Sequence, residues 1–350
     1  MTTRNSIIRE DLEKITDSGL PWQDLEGCTI LISGASGFLP AYMVETLLYL
    51  NENINLGTKI ICLVRDKARA FQRFTDYRHR RDLKILVQDV CKPLHLENHV
   101  DFIIHAASLA SPKYYGSDPV GILCANSLGT ANLLNLAVKS NSRNFLFFSS
   151  SEVYGQPFQE AVKENSYGYL DPMDLRSCYA ESKRMGETMC ISWLHEYGVP
   201  SKVVRPFHTY GPGMNLKDGR VYADFMNNIL NGTDIILNSD GKAIRSFCYL
   251  ADATLGFFTV MLSGKMGQAY NIGDDMSTIS ILELAEMLIG LFPEKRLGII
   301  RSVHVKDPEY LESRVSKICP DISKVRALGW KPETSLEEGL KRTVRSFTCT

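Results

Sequence analysis

The chain reads as an α/β protein built on a doubly wound parallel sheet, with a smaller C-terminal lobe. Three observations predict this. Short apolar β-like runs alternate with helical stretches from residue 27 to about residue 206. A glycine-rich turn joins the first apolar run to a helical stretch. After about Phe207 the alternation gives way to loops rich in Gly, Pro and Asn, with shorter elements.

Residues 1–26 are polar, with a short helical stretch around Arg9–Ile15 and then Pro21, and are expected to form an extension that packs late. The first strand is Cys28–Ser33, bounded by Gly27 and Gly34 and apolar enough to be buried on both faces. The turn GASGFLP (34–40) and the helical run 41–50 follow. Further strands are expected at Lys59–Val64, Lys84–Val87, Phe102–Ile104, Asn144–Phe148 and Ser201–Val204. Long helices are expected at 119–140 and 177–197. Two more, at 279–291 and 336–346, close the chain. Residues 27–206 thus form a dinucleotide-binding domain. Residues 207–350 form mainly a substrate lobe, with some segments returning to the first domain.

Composition excludes several classes. The 350 residues are 44% hydrophobic and 23% charged, with a formal net charge of -1. This balance gives no reason to expect a nucleic-acid or anionic-membrane partner. The basic run from Arg65 to Arg81 is either a solvated face or the neighbour of an anionic ligand. The nine cysteines form no CxxC pair and lie mostly in apolar runs. They read as small buried hydrophobes in a reducing compartment, not as a disulfide frame or metal site. The N-terminus has no signal-peptide core and no run reaches transmembrane length, so a cytoplasmic protein is expected.

The glycine turn is G-x-x-G-x-x-P, with Gly34, Gly37 and Pro40. Between a strand and a helix, such a turn lets backbone approach a dinucleotide pyrophosphate, and the helix N-terminus favours its charge. Ser36, Phe38 and Leu39 complete this contact. After the second strand, Arg65 and Arg69 would embrace the 2′-phosphate of NADP, whereas Asp66 would hydrogen-bond the ribose of NAD. Both cofactors stay open. Asp89 and Val90 follow the third strand and face the adenine; the small residues Ala106, Ala107 and Ser108 follow the fourth and let the cofactor lie close.

The segment Ser177–Cys190 places Tyr179 four residues before Lys183 on a helix, hence on one face. An ammonium there is expected to lower the phenol pKa and make Tyr179 a general base. The run FFSSSEVYG (147–155) brings Ser150 and Glu152 to the end of the fifth strand, where a hydroxyl and a carboxylate serve acid–base work.

Together these motifs resemble the extended short-chain dehydrogenase/reductases of the NAD-dependent nucleotide-sugar epimerase/dehydratase type, over roughly residues 27–345. The likeness is greatest to UDP-glucuronate decarboxylases. It runs through HAASLASPKYYGSDP (105–119), NSLGTANLL (126–134), SSSEVYG, CYAESKRMGETMC, RPFHTYGPGM (205–214), DGRV (218–221) and the segment Arg245–Asp252. The resemblance implies a Rossmann domain, tightly bound NAD or NADP, and a catalytic group of Ser150, Glu152, Tyr179 and Lys183. Asn126 joins the cofactor residues. Ser111, Tyr115, His208, Arg220 and Arg245 bind a nucleoside-diphosphate sugar. The helices 119–140 and 177–197 would pair two copies as a homodimer. The implied reaction oxidises the sugar C4 to a ketone, then epimerises, dehydrates or decarboxylates it. Alternatives are an NADPH-dependent reductase of a 4-keto sugar and a non-enzymatic sugar-nucleotide-binding homologue.

Three positions depart from the decarboxylase pattern and a fourth from that of the 4,6-dehydratases. His208 stands for an asparagine, Gly213 for the arginine of the GPRM loop and Ile318 for a carboxylate-binding arginine that Lys317 or Arg314 would have to replace. Ser151 stands where 4,6-dehydratases carry an aspartate before Glu152.

Overall fold

The computed structural model of the chain describes residues 5–301 and 315–348; Arg314 lies outside them. A parallel sheet carries β1 (Thr29–Ser33), β2 (Lys59–Val64), β3 (Leu83–Val87), β4 (Phe102–His105), β5 (Asn144–Phe148), β6 (Ser201–Pro206) and β7 (Ala269–Ile272). Their order across the sheet is β3-β2-β1-β4-β5-β6-β7. The order reverses between β1 and β4, and a crevice opens beyond the strand ends at such a point. β4 and β5 are buried along their whole length, as apolar strands covered on both faces must be.

The expected strands are present within two residues at each end, and β7 is additional. Only four residues long and carrying the polar Asn271, it offers no apolar run to recognise. It returns to the sheet from the C-terminal part, beside β6. The first helix spans Phe38–Ile54 and begins directly at Gly37. Pro40 sits in its first turn, where the missing N–H has no partner to lose.

A second, mostly parallel sheet builds the substrate lobe. Its strands are His208–Tyr210, Ile244–Tyr249, Lys317–Pro320 and Ala161–Val162, and Thr278–Ser280 runs antiparallel to the second of these. Ala161–Val162 comes from before residue 207, so the two parts of the chain interleave.

The N-terminal extension is a docked helix, Ser6–Thr16, capped by the Asn5 side chain on the N–H groups of Ile7 and Ile8. Ile8, Leu12 and Ile15 recur on one face and join the main core. Asp11, also buried, accepts hydrogen bonds from Tyr42 (2.9 Å), Tyr249 (2.7 Å) and Arg342 (2.7 Å). It thereby joins the cofactor-loop helix, the strand of Arg245 and the C-terminal helix Leu336–Ser346.

One expectation is corrected. Helix Pro119–Lys139 has 21 residues and a mean hydropathy of 1.3 over its most apolar window, long and apolar enough to cross a membrane. In the fold, Ile122, Leu133, Leu134 and Ala137 are buried, the last three in the core beneath β4 and β5.

Candidate active site

A single cleft of about 1380 Å³ runs from the glycine turn, past Tyr179, to the substrate lobe. It exceeds an ordinary small-molecule pocket of roughly 300–1000 Å³ and has room for two ligands. Every candidate site residue named above lines it except Asn126. Asn126 is buried beneath the cleft and donates to Ser182 Oγ at 3.0 Å, joining the two long helices. Its amide nitrogen thus joins the helices, while its Oδ1 is buried with no hydrogen-bond partner among the described residues.

At the cofactor end, Gly34 has φ +67, a conformation that disfavours side chains. A Cβ there would lie 2.7 Å from Ala107 Cα. Gly37 caps the helix Phe38–Ile54 without a side-chain hydrogen bond, leaving its first N–H groups for an anion. Ser108 Oγ is buried with no hydrogen-bond partner among the described residues. Cradle, helix end and orphan hydroxyl fit a bound dinucleotide. Asp66 caps the next helix by accepting from Arg69 N at 3.0 Å, while the Arg65 and Arg69 side chains border the cleft.

Sequence reasoning missed what holds this end together. Ser33 Oγ accepts from the N–H groups of Ala106 and Ala107, both at 3.2 Å. It also meets His105 Nδ1 at 2.8 Å, and His105 Nε2 meets Thr130 Oγ1 at 3.0 Å. Burial pushes the His105 pKa down to about 3, so the neutral ring bridges the two hydroxyls. No short motif announces a contact between residues this far apart.

At the centre, Tyr179 is hydrogen-bonded to Ser150 and stacks on Tyr115, with ring centroids 5.5 Å apart. Lys183 Nζ donates to Phe148 O at 2.7 Å and lies 5.7 Å from the Tyr179 ring centre. The expected drop in the tyrosine pKa is not what the structure gives. Burial pushes Tyr179 up to about 12, opposed by the Arg220 charge and the Ser150 hydrogen bond. Burial also pushes Lys183 down to about 7. Desolvation disfavours both charged forms, and it outweighs the pairing the i,i+4 spacing suggested.

Glu152 pairs with Arg176 at 3.1 Å, and that guanidinium lies 5.7 Å from the Tyr115 ring centre. Arg176 is thus a cation at the centre of the cleft that sequence reasoning passed over, although it stands only three residues before Tyr179. Behind the site, Ser149 donates to Glu187, which Arg205 grips through two nitrogens at 2.8 and 2.6 Å.

At the substrate end, Arg220 donates to Ala110 O and Tyr222 Oη and pairs with Asp218 at 3.2 Å. Ser111 donates its hydroxyl to Asp218 O. Arg245 donates to the carbonyls of Ile244, Val315 and Ser316. Between these arginines stands His208, packed against Tyr222 and Phe247. Burial, with both guanidiniums, holds its pKa near 3; its Nδ1 is buried without a partner among the described residues.

Two departures have structural explanations. Gly213 has φ +78, and a Cβ there would lie 2.7 Å from Arg73 Nη1. The guanidinium at this loop is that of Arg73, which pairs with buried Glu45 at 3.0 Å. Ile318 borders the cleft from an apolar cluster with Val153, Tyr154, Val162 and Phe207. Lys317 pairs with Glu160 and does not reach the cleft, so it does not replace the missing arginine.

The parallel sheet, the glycine cradle and the Tyr179–Lys183–Ser150 centre define an NAD-dependent enzyme of nucleotide-sugar chemistry. The chain belongs to the NAD dependent epimerase/dehydratase family, whose profile matches residues 30–273. UDP-glucuronic acid decarboxylase 3 of Arabidopsis thaliana is 34% identical over 319 residues, 91% of this chain and 88% of that protein. Among solved structures, Pal from Bacillus thuringiensis has a TM-score of 0.76 at 27% identity, covering 91% of this chain and 99% of its own. UDP-glucuronic acid 4-epimerase from Bacillus cereus, in complex with UDP-glucuronic acid and NAD, has the same fold. Its TM-score is 0.75 at 21% identity, over 91% of this chain and 99% of its own.

Proposed function

We propose that the chain oxidises C4 of UDP-glucuronate and decarboxylates the resulting 4-ketone. The observation that carries the C4 chemistry is Tyr179, hydrogen-bonded to Ser150 at the centre of the cleft with Lys183 one helical turn away. Gly34, Gly37 and the first N–H groups of helix Phe38–Ile54 would hold NAD, which would supply the hydride acceptor for C4 and, at the end, the hydride donor. Tyr179 takes the 4-hydroxyl proton, and Ser150 holds the same oxygen. Arg220 favours the phenolate that this step requires. The C4 ketone makes the C5 carboxylate a β-keto acid. Its C5–C6 bond breaks with loss of CO2, and the electrons pass into the enolate, which then takes a proton at C5.

Decarboxylation is favoured by the 34% identical decarboxylase and by Arg176, a cation beside Glu152 and Tyr115 able to hold the sugar carboxylate. Arg220, the uncapped N-terminus of helix Val221–Asn231 and Arg245 suit the diphosphate. A second reading, 4-epimerisation of a sugar uncharged at C6, is favoured by the apolar wall at Ile318. The test is incubation of the purified protein with labelled UDP-glucuronate. Release of CO2 with retained cofactor supports decarboxylation; retained cofactor, C4 inversion of UDP-glucose and no CO2 supports the second reading.

The resident cofactor is read as NAD, with Asp66 towards the ribose. Mass spectrometry of what is released on denaturation checks this, and recovery of NADP would assign Arg65 and Arg69 to its phosphate. A homodimer is proposed through Val120 and Leu123 of one long helix and Met185 and Ile191 of the other, all exposed apolar residues. Light scattering giving the monomer mass would refute it.

A further inference from the structure

Asp224 borders the substrate end of the cleft, and its carboxylate makes no hydrogen bond or ion pair among the described residues. It stands one helical turn after Arg220, on helix Val221–Asn231, and donates its N–H to Arg220 O at 3.1 Å. Arg220 is the extended N-cap of this helix and Asp224 its fourth residue, and both side chains line the same cleft. The rise between them is about 6 Å.

Helix and ligand run in matching order. The helix N-terminus has no side-chain cap and carries Arg220, both of which favour a diphosphate. In a nucleoside diphosphate the next group after the phosphate is the ribose with its hydroxyls. A carboxylate accepts hydrogen bonds only, so its natural partner there is a pair of hydroxyl donors. The surrounding protein and neighbouring Asp218 push the Asp224 pKa up to about 6, although the side chain is open to the cleft. A hydroxyl donor stabilises the carboxylate form that this environment opposes.

Building on the nucleotide-sugar reading above, we propose that Asp224 reads the ribose. It accepts from the 2′-hydroxyl and so selects ribonucleotide-linked sugars over 2′-deoxyribonucleotide-linked ones. Asp224 is a specificity residue, remote from Tyr179 and from the bonds that change.

The test is calorimetric binding of UDP, 2′-deoxy-UDP and GDP to the NAD-loaded protein, its Asp224→Asn variant and its Asp224→Ala variant. Among the described residues Asp224 holds nothing in the fold, and its raised pKa makes the carboxylate unfavourable near neutral pH, so neither variant is expected to melt below the parent. The parent should bind UDP roughly tenfold or more tightly than 2′-deoxy-UDP, the value of a hydrogen bond to a charged group. Asp224→Ala should bind the two alike, with Asp224→Asn between. Equal binding of UDP and 2′-deoxy-UDP by the parent overturns the assignment but leaves the nucleotide-sugar reading standing. A preference for GDP that disappears in Asp224→Ala overturns it by moving the carboxylate to the base. Failure of the parent to bind any of the three overturns the nucleotide-sugar reading itself, and this assignment with it.

Discussion

Asp11 and Tyr179 stand in two buried clusters made of the same materials, phenols and charged side chains, and the two are finished to different degrees. Around Asp11, two tyrosine hydroxyls and the Arg342 guanidinium all reach one carboxylate within 2.9 Å. Burial raises Asp11 and its two phenols as it raises Tyr179 to about 12, and it lowers Lys183 to about 7, so the shifts alone do not separate the clusters. His208 Nδ1 and Ser108 Oγ, further along the same cleft, have no partner among the described residues. A satisfied buried network stabilises the fold, whereas an unsatisfied one costs free energy unless a ligand completes it. The first cluster belongs to the fold and the second to the chemistry.

The sharpest way to break that distinction is Tyr179→Phe. Removing the hydroxyl should cost roughly 10²- to 10⁴-fold in turnover, the usual value of a lost general base. The melting temperature and the retained NAD should hold, because the phenyl ring keeps its stack on Tyr115. Single-turnover assays and thermal melts measure the two halves separately. Near-parental turnover would remove Tyr179 from the mechanism, and a large fall in melting temperature would make its cluster structural after all.

The converse test is Asp11→Ala. It strips three hydrogen bonds at once and leaves two buried phenols and part of Arg342 without their acceptor. Breaking a buried ion pair in this way costs about 3 kcal/mol or more. Urea unfolding should show that loss, while kcat measured well below the transition stays near the parental value. A kcat that falls with stability intact would mean that the N-terminal helix tunes the cleft through Tyr42 and Tyr249.

The two clusters were also unequally legible in the amino-acid order. Tyr179, Lys183, Gly34 and Gly37 sit in short motifs whose spacing carries geometry, so they could be placed on a helix face and at a strand end beforehand. Asp11 lies in a polar extension, and its partners are 31, 238 and 331 residues away. No local pattern encodes such a meeting. Arg176 and Asp224 were passed over for another reason, since a single charged residue looks like solvated surface until the cleft around it is known. The tyrosine pKa failed on physics: i,i+4 spacing predicts proximity to Lys183, but not how completely both groups lose water.

A smaller effect separates two buried histidines of the cleft region by pH. His105 and His208 both have pKa values near 3 in the folded chain, against about 6.5 when unfolded. Between those values the unfolded chain binds protons that the folded chain refuses, so stability falls as pH falls through that window and is unaffected above it. His105 has hydroxyl partners on both nitrogens, whereas His208 has none on Nδ1. Replacing His208 by Asn should therefore remove one share of the acid sensitivity and spare the fold. Melting at about pH 8 and about pH 5.5 should show a smaller acid-induced drop in the variant than in the parent. An identical drop would mean that His208 is protonated in the folded protein. The cleft between Arg220 and Arg245 would then carry a third positive charge and suit the diphosphate better than a neutral imidazole does.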